Sequence, residues 1–288
     1  MLRILFFFLI SFSFLPLSAQ KTDRRLEKNL QEIISGYNGQ IGVYIKNLRT
    51  GKTAMINADT LFPTASIVKV PIFLGIMDRI SRGELAYDSS FIYRDSLYYA
   101  GSDILGSFKN GEKITLKKLI MLMLTTSDNT ASLWLQSLAG TGTRINTLLD
   151  SFGLQLTRVN SRTPGREENR TQYGWGQTSP REMGQLFEMI YRKEIYTPEI
   201  CDRMLRCLGR NFWDVDEAIS VIPPTVEVFS KNGCVNASRS EVMIVNLPGN
   251  PFVFSVFTKN NQDTRWTHDN EAWTLARKLA AFLYDYYK

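Results

Sequence analysis

The chain has 288 residues, of which 34 are basic and 28 are acidic, and its formal net charge at pH 7 is +6. The charges are spread along the chain without a block of lysine or arginine, which argues against a nucleic-acid-binding protein. Hydrophobic residues make up 44% of the sequence and charged residues 22%, a composition that excludes a disordered chain and allows one large domain or two smaller ones.

The first nineteen residues have the pattern of a secretory signal peptide. Arg3 precedes an apolar run over residues 4–17, and the small residues Ser18 and Ala19 follow. We expect cleavage after Ala19; an uncleaved anchor is the alternative, although the run is short for a membrane span. The mature chain, residues 20–288, is therefore expected to be secreted or periplasmic, without a membrane anchor.

The mature chain begins with the pattern of a helix followed by a hairpin. Leu26, Leu30 and Ile33 share one face of a helix over residues 22–37. Two alternating segments in QIGVYIKNLRTGKTAMINAD meet at a turn over residues 49–51, which predicts two antiparallel strands. From about residue 61 to 204 the pattern is helical, and LKKLIMLML is apolar enough for a buried helix.

Strands return from about residue 225, and a helix over NEAWTLARKLAAFLYDYY closes the chain. The three strand segments are TVEVFSKNG, SRSEVMIVNLPG and NPFVFSVFTKN. The predicted fold class is therefore α+β: an antiparallel sheet with flanking helices, from residues 20–60 and 205–288, and an inserted all-α lobe over residues 61–204. We expect a functional site in the cleft between these two lobes.

The counts of histidine and cysteine limit the possible sites. The only histidine is His268, which excludes a zinc site of the H-E-x-x-H type, and we expect no metal and no organic cofactor. Thr267 or Asp269 beside it would cap the last helix. The cysteines are three in number and imply no disulfide framework, although a bridge between Cys207 and Cys234 stays open.

A serine and a lysine stand three positions apart in TASIVKVPIF, residues 64–73. On a helix Ser66 and Lys69 share one face. A serine near a helix start can use its own main-chain N–H as an oxyanion donor, and a lysine neutralised by burial can take the hydroxyl proton. Such a pair is common by chance, so it carries weight only together with other motifs.

Two later segments supply further polar groups. TTSDNTAS, residues 125–132, places Ser127 and Asn129 in a turn between two helices, with Asp128 bracing the turn. FSKNGC, residues 229–234, places Lys231 in a strand shortly before Gly233. Taken alone, the first segment reads as an ordinary helix cap and the second as a hairpin with a solvated lysine.

Together the three motifs resemble those of class A β-lactamases and penicillin-binding serine hydrolases, which are S-x-x-K, S-D-N and K-T-G. This chain has SIVK at 66–69, SDN at 127–129 and KNG at 231–233, in the family's order and at about its intervals. The resemblance covers essentially the whole mature chain. It implies a β-lactamase or D,D-peptidase-like fold and a small-molecule or cell-wall peptide substrate, and we expect a monomer.

The resemblance also implies roles for individual residues. Ser66 would be the nucleophile, Lys69 its proton acceptor and Ser127 the relay that protonates the leaving nitrogen. Lys231 would supply positive potential. The main-chain N–H groups of Ser66 and Cys234 would form the oxyanion hole.

Four residues would contact the substrate. Asn129 would hold its amide side chain, and Gly233 would allow close approach of the strand. Arg239 lies where many family members place a basic group for the substrate carboxylate. Asn232 stands where the family has threonine or serine, and its amide can still donate to that carboxylate with a different reach and shape.

A second departure concerns release of the acyl group. Class A β-lactamases carry a glutamate before a proline in the loop ahead of TSPREM, and ungapped placement of this chain puts Thr163 there, before Pro164. Threonine cannot act as a base. Glu167 and Glu168 follow closely. If the loop is shifted, one of them is a candidate deacylation base; the alternative is that both are exposed carboxylates without a catalytic role.

We therefore predict a class A β-lactamase-like serine hydrolase that forms an acyl-enzyme at Ser66 with a β-lactam or related amide and then hydrolyses it. A missing base typically costs about 10²–10⁴-fold in rate. A slowly deacylating penicillin-binding or D,D-peptidase-like protein is therefore one alternative, and a non-catalytic ligand-binding sensor with the same fold is another.

Overall fold

The computed structural model describes residues 21–101 and 103–288, so the signal peptide predicted over residues 1–19 lies outside the described residues. Within the described ranges, no helix has both the length and the hydropathy that a bilayer span requires. The α-helices found there are α1 (Arg24–Ile34), α2 (Lys69–Ser81), α3 (Leu116–Thr125), α4 (Asn129–Leu138), α5 (Thr141–Ser151), α6 (Glu167–Tyr173), α7 (Pro180–Tyr191), α8 (Pro198–Leu208) and α9 (Glu271–Tyr287).

Strands from both ends of the chain form one five-stranded antiparallel sheet in the order β2-β1-β10-β9-β8. The strands of the described residues are β1 (Gln40–Asn47), β2 (Thr53–Ile56), β3 (Phe62–Pro63), β4 (Ser90–Ile92), β5 (Lys113–Thr115), β6 (Arg158–Val159), β7 (Gly176–Thr178), β8 (Val228–Val235), β9 (Ser238–Val245) and β10 (Phe252–Lys259). Val43 of β1 faces Val256 of β10 in this register. The antiparallel sheet and the helices around it confirm the predicted α+β class.

Each face of the sheet covers its own hydrophobic core. One face packs against α1 and α9, where Leu30 and Leu279 are fully buried. The other packs against the helical part of the chain, chiefly through α7, and Phe257 is buried in that core. Side chains alternate between the two faces along a strand. The Lys231 side chain of β8 therefore leaves the sheet on the side of the helical part, and that of Asn232 leaves it on the side of α9.

The helix that follows the SIVK motif runs through the middle of the helical part. All ten residues from Lys69 to Asp78 of α2 are buried, as expected for a helix that is apolar on every side. Pro71 lies in its first turn, where a missing N–H removes no intrahelical hydrogen bond. The deep position of α2 fixes the Ser-Lys pair on a rigid element.

The cap of the last helix differs from the sequence prediction. Neither Thr267 nor Asp269 caps α9. Its N-cap is Asn270, whose Oδ1 accepts hydrogen bonds from the N–H groups of Ala272 and Trp273. Asparagine is as good an N-cap as aspartate or serine. With Asn270 as the cap, α9 begins at Glu271, one residue later than it would with Asp269 as the cap.

Candidate active site

Ser66 lies in a 3-10 turn, Ala65–Val68, that runs directly into α2. The α-helix itself begins at Lys69, so the helix start predicted near Ser66 is replaced by this tighter turn. Ala65 has a φ of 44°, a left-handed conformation that costs a residue with a Cβ on the order of 1–3 kcal/mol. Strain of this kind persists only where the surrounding structure holds it, and it is found here immediately before the candidate nucleophile.

Lys69 connects the first two motifs. Its Nζ lies 3.0 Å from Ser66 Oγ, 2.9 Å from Ser127 Oγ and 3.0 Å from Asn129 Oδ1, and it donates to the main-chain oxygen of Ser127 at 2.6 Å. Burial, and then the charge of Lys231, hold the pKa of Lys69 well below its usual range, against an opposing effect of Asp128. A neutral amine in this position can accept the Ser66 hydroxyl proton.

Asp128 braces the turn that carries Ser127, as the sequence predicts. One carboxylate oxygen accepts from the N–H of Ala131 at 2.7 Å and caps α4. The other accepts from the N–H groups of Ile104 and Leu105 at 2.6 and 2.8 Å. These bonds hold Ser127 at a positive φ of 61°, with its hydroxyl beside the amine of Lys69.

The edge strand β8 approaches the Ser66 turn so closely that one position requires glycine. A Cβ on Gly233 would lie 2.4 Å from Thr64 O and 2.9 Å from Ser66 N, which is closer than side-chain carbons approach other atoms. The main chains of Ser66 and Cys234 therefore meet at the same wall of one cavity. An oxyanion hole needs two N–H donors beside the reacting carbonyl, and both residues predicted to supply them border this cavity.

The cavity beside Ser66 has a volume of about 540 Å³. Its walls are the Ser66 turn, Asn129, residues 172–175 at the end of α6 and just beyond it, the turn between β8 and β9, and Lys259 with Asn260 at the end of β10. Among the lining residues in the part of the chain described, none is an aspartate or a glutamate.

Both ends of the Asn232 amide, which was predicted to contact the substrate, are hydrogen-bonded within the protein. Its Nδ2 donates to Glu217 Oε1 at 2.7 Å, and its Oδ1 accepts from Lys231 Nζ at 3.0 Å. The side chain is buried and does not line the cavity. The amide donor that would reach a substrate carboxylate is thus already used within the protein.

The prediction that Arg239 binds a substrate carboxylate is wrong in this geometry. Only 2% of the residue is exposed, and its guanidinium packs against the rings of both Trp266 and Trp273, with Cζ 4.2 and 4.7 Å from their centroids. It donates to main-chain oxygens, including those of Val235 and Arg265. Because β9 pairs Arg239 with Cys234, its side chain lies on the α9 face, away from Ser66.

Replacing Arg239 with methionine should therefore destabilise the fold rather than weaken substrate binding. Two cation–π contacts and several buried hydrogen bonds are lost, at a cost of about 3 kcal/mol in the free energy of unfolding. Denaturant unfolding measures this change. An R239M variant with native stability and weakened capture of a carboxylate-bearing penicillin would contradict the structural role.

Neither suggested deacylation base lies at the cavity. Glu167 and Glu168 occupy the first turn of α6, are exposed, and are absent from the cavity lining; Glu167 Oε1 accepts from the N–H of Gly165. Thr163 is buried against Gly142 and donates to Ser161 O at 3.0 Å. The shifted-loop arrangement is not found, because α6 begins at these glutamates and leaves them exposed to solvent.

Three further residues outside the three motifs lie at or near the site. Trp175 lines the cavity and meets Tyr99 edge to face, with ring centroids 5.1 Å apart. Lys259 also lines it, and its Nζ donates to Leu61 O at 2.8 Å. Glu217 reaches the site indirectly, through Asn232. These residues come from segments far apart along the chain, so only the tertiary fold brings them together.

Comparison with protein families and curated relatives agrees with this layout. The model of a family described as the beta-lactamase enzyme family matches residues 25–287. The chain is similar to Beta-lactamase VEB-1 of Pseudomonas aeruginosa, with 23% identity over 99% of this chain and 97% of that protein. It is also similar to a Streptomyces fradiae beta-lactamase, with 25% identity over 86% and 81% of the two chains.

Solved structures share the fold. PBP-A superposes with a TM-score of 0.82 at 23% identity, covering 93% of this chain and 97% of that one. A beta-lactamase from Chitinophaga pinensis gives a TM-score of 0.82 at 19% identity, covering 92% and 100%. A mutant of PBP-A was solved as an acyl-enzyme complex with penicillin G.

Proposed function

This chain belongs to the beta-lactamase enzyme family, and we propose that it is a serine hydrolase that takes a β-lactam or related amide onto Ser66 as an acyl-enzyme. The observation that carries the proposal is the position of Lys69 Nζ, within 3.0 Å of the hydroxyls of both Ser66 and Ser127. One amine thus serves both proton transfers that acylation requires.

In the acylation step, Ser66 Oγ attacks the carbonyl carbon of the β-lactam and its proton passes to Lys69 Nζ. The developing oxyanion accepts hydrogen bonds from the N–H groups of Ser66 and Cys234. The ring C–N bond then breaks. Ser127 gives its hydroxyl proton to the leaving nitrogen and recovers one from Lys69, so the protons balance.

We propose that hydrolysis of this acyl-enzyme is slow. Deacylation needs a water activated by a base near the acyl carbonyl, and no carboxylate lines the cavity within the described residues. This behaviour corresponds to a penicillin-binding or D,D-peptidase-like protein. Rapid hydrolysis is the second candidate, because the relatives are named as beta-lactamases.

The substrate class follows from the same site. The cavity of about 540 Å³ has the size of a small-molecule site, and the substrate is a β-lactam or a cell-wall peptide with an amide of similar geometry. The proposed catalytic groups all come from one chain, so a monomer suffices. The signal-peptide pattern of residues 1–19 supports export to the periplasm or outside the cell.

Intact-mass spectrometry with a penicillin tests the proposal. The mature protein should gain the mass of one penicillin per chain, and peptide mapping should place it on Ser66. Ser66→Ala should lose the adduct entirely while keeping the native fold by circular dichroism. A native protein that gains no mass and leaves the penicillin intact would rule out acyl transfer from β-lactams.

A further inference from the structure

The ammonium of Lys231 is held by its own neighbour in the strand. Lys231 is fully buried, and its Nζ donates to Asn232 O at 2.9 Å and to Asn232 Oδ1 at 3.0 Å. Both acceptors found for this ammonium within the described residues thus belong to Asn232. The position of the Lys231 charge therefore depends on the orientation of the Asn232 amide.

Glu217 fixes that orientation. An amide side chain has one donor end and one acceptor end. Glu217 Oε1 accepts from Asn232 Nδ2 at 2.7 Å, which turns Oδ1 toward Lys231. Glu217 is itself 7% exposed, and its other oxygen accepts from the N–H of Asp216 at 3.2 Å. Each carboxylate oxygen thus has a hydrogen bond that restrains its position.

The charges around Lys231 come from several elements. They are Lys69 at the start of α2, Cys234 on the same strand as Lys231, Glu241 on β9 and Glu217 in the segment between α8 and β8. Burial lowers the pKa of Lys231 to about 8, while Cys234, Glu217 and Glu241 act to raise it. A charge on Glu217 therefore favours the protonated form of Lys231.

We infer that Glu217 is a positioning residue for acylation: it fixes the amide of Asn232, which in turn holds the ammonium of Lys231, whose charge acts on Lys69. The inference rests on the proposed function. It also accounts for asparagine in the third motif, where the family has a hydroxyl, because the amide serves as an internal support and not as a substrate ligand.

Two substitutions of Glu217 separate position from charge. Glu217→Ala removes the acceptor and frees the Asn232 amide, and the second-order rate constant of penicillin acylation should fall by about 10-fold to 10²-fold, since a small misplacement of a catalytic group costs that much. Glu217→Gln keeps an acceptor and should stay within about threefold of native at pH 7. In E217Q the loss of acylation rate at alkaline pH should begin at a lower pH than in the native protein. The reason is that Lys231 loses the carboxylate that favours its protonated form.

A buried glutamate elsewhere provides the matched control. Glu188 is also 7% exposed, but its partners are Lys46 and Arg192, and none of the three lines the cavity. Glu188→Gln should lower the thermal midpoint without changing the acylation rate of the folded protein. Equal acylation by E217A and the native protein, or an equal loss in E188Q, would overturn the inference.

A crystal structure of E217A tests the positioning role of Glu217 independently of whether the protein is acylated by penicillin. We expect the Asn232 amide to be rotated and the Lys231 ammonium to be displaced. If the native protein takes up no penicillin, the proposed function fails, and the structure still decides the role of Glu217. A Lys231 ammonium in its native place in E217A would overturn the inference.

Discussion

Replacing Lys69 with methionine should slow acylation of Ser66 by about 10²–10⁴-fold, the usual contribution of a positioned general base. Methionine fills a similar volume but can neither accept the Ser66 proton nor return one to Ser127. The measurement is the rate of adduct formation by intact mass, at several penicillin concentrations. An acylation rate in K69M within about threefold of native would contradict the role assigned to this amine, given the size of the effect expected of a general base.

The pH dependence follows from the same amine. Because the pKa of Lys69 lies well below its usual range, its amine stays neutral to a lower pH than an ordinary lysine, and the acylation rate should fall as the pH falls through that lowered pKa. Lys46→Met serves as the matched control, since Lys46 is paired with Glu188 at 2.7 Å away from the cavity. This variant should be less stable and should acylate at the native rate.

The acyl-enzyme should outlive that of an enzyme with a carboxylate base by a factor of about 10²–10⁴, or about 3–5 kcal/mol in the barrier to hydrolysis. Gln172 lines the cavity from the end of α6, so Gln172→Glu places a carboxylate on the wall with little change in shape. Deacylation should then be at least about tenfold faster. Loss of the adduct, followed by intact mass after removal of free penicillin, measures this rate.

The two exposed glutamates of α6 provide the control for this experiment. Because Glu167 and Glu168 lie outside the cavity lining, the double variant E167Q/E168Q should release its acyl group at the native rate. Slower release in that variant would assign the base to α6 after all. Unchanged release in Q172E would show that a missing carboxylate is not what limits hydrolysis.

Much of the fold could be predicted because its signals are local. Alternating apolar residues indicated the strands, and the turn at residues 49–51 indicated the hairpin. Strands at both ends of the chain predicted one shared antiparallel sheet, and the structure adds that β1 pairs with β10 in it. The first two motifs located Ser66, Lys69 and Ser127, and the structure places the Lys69 amine within 3.0 Å of both hydroxyls.

The remaining features depend on tertiary contacts that a linear sequence does not display. Arg239 was expected to bind a carboxylate because it is a cation near the third motif, but strand alternation turns it to the other face, where it packs against two tryptophans. Asn232 lies on the same face as Arg239, and its partner Glu217 comes from the loop ahead of the strand. Spacing alone does not reveal which face of the sheet covers the cavity.

Burst kinetics with a chromogenic cephalosporin test the central claim most directly, namely that this protein forms an acyl-enzyme readily and releases it slowly. Mixing a known excess of the cephalosporin with the mature protein should give a rapid burst of one ring opening per chain, followed by a much slower steady rate. The burst should be absent from S66A. Continuous rapid turnover without a burst would contradict slow release, and no ring opening at all would contradict acylation by β-lactams.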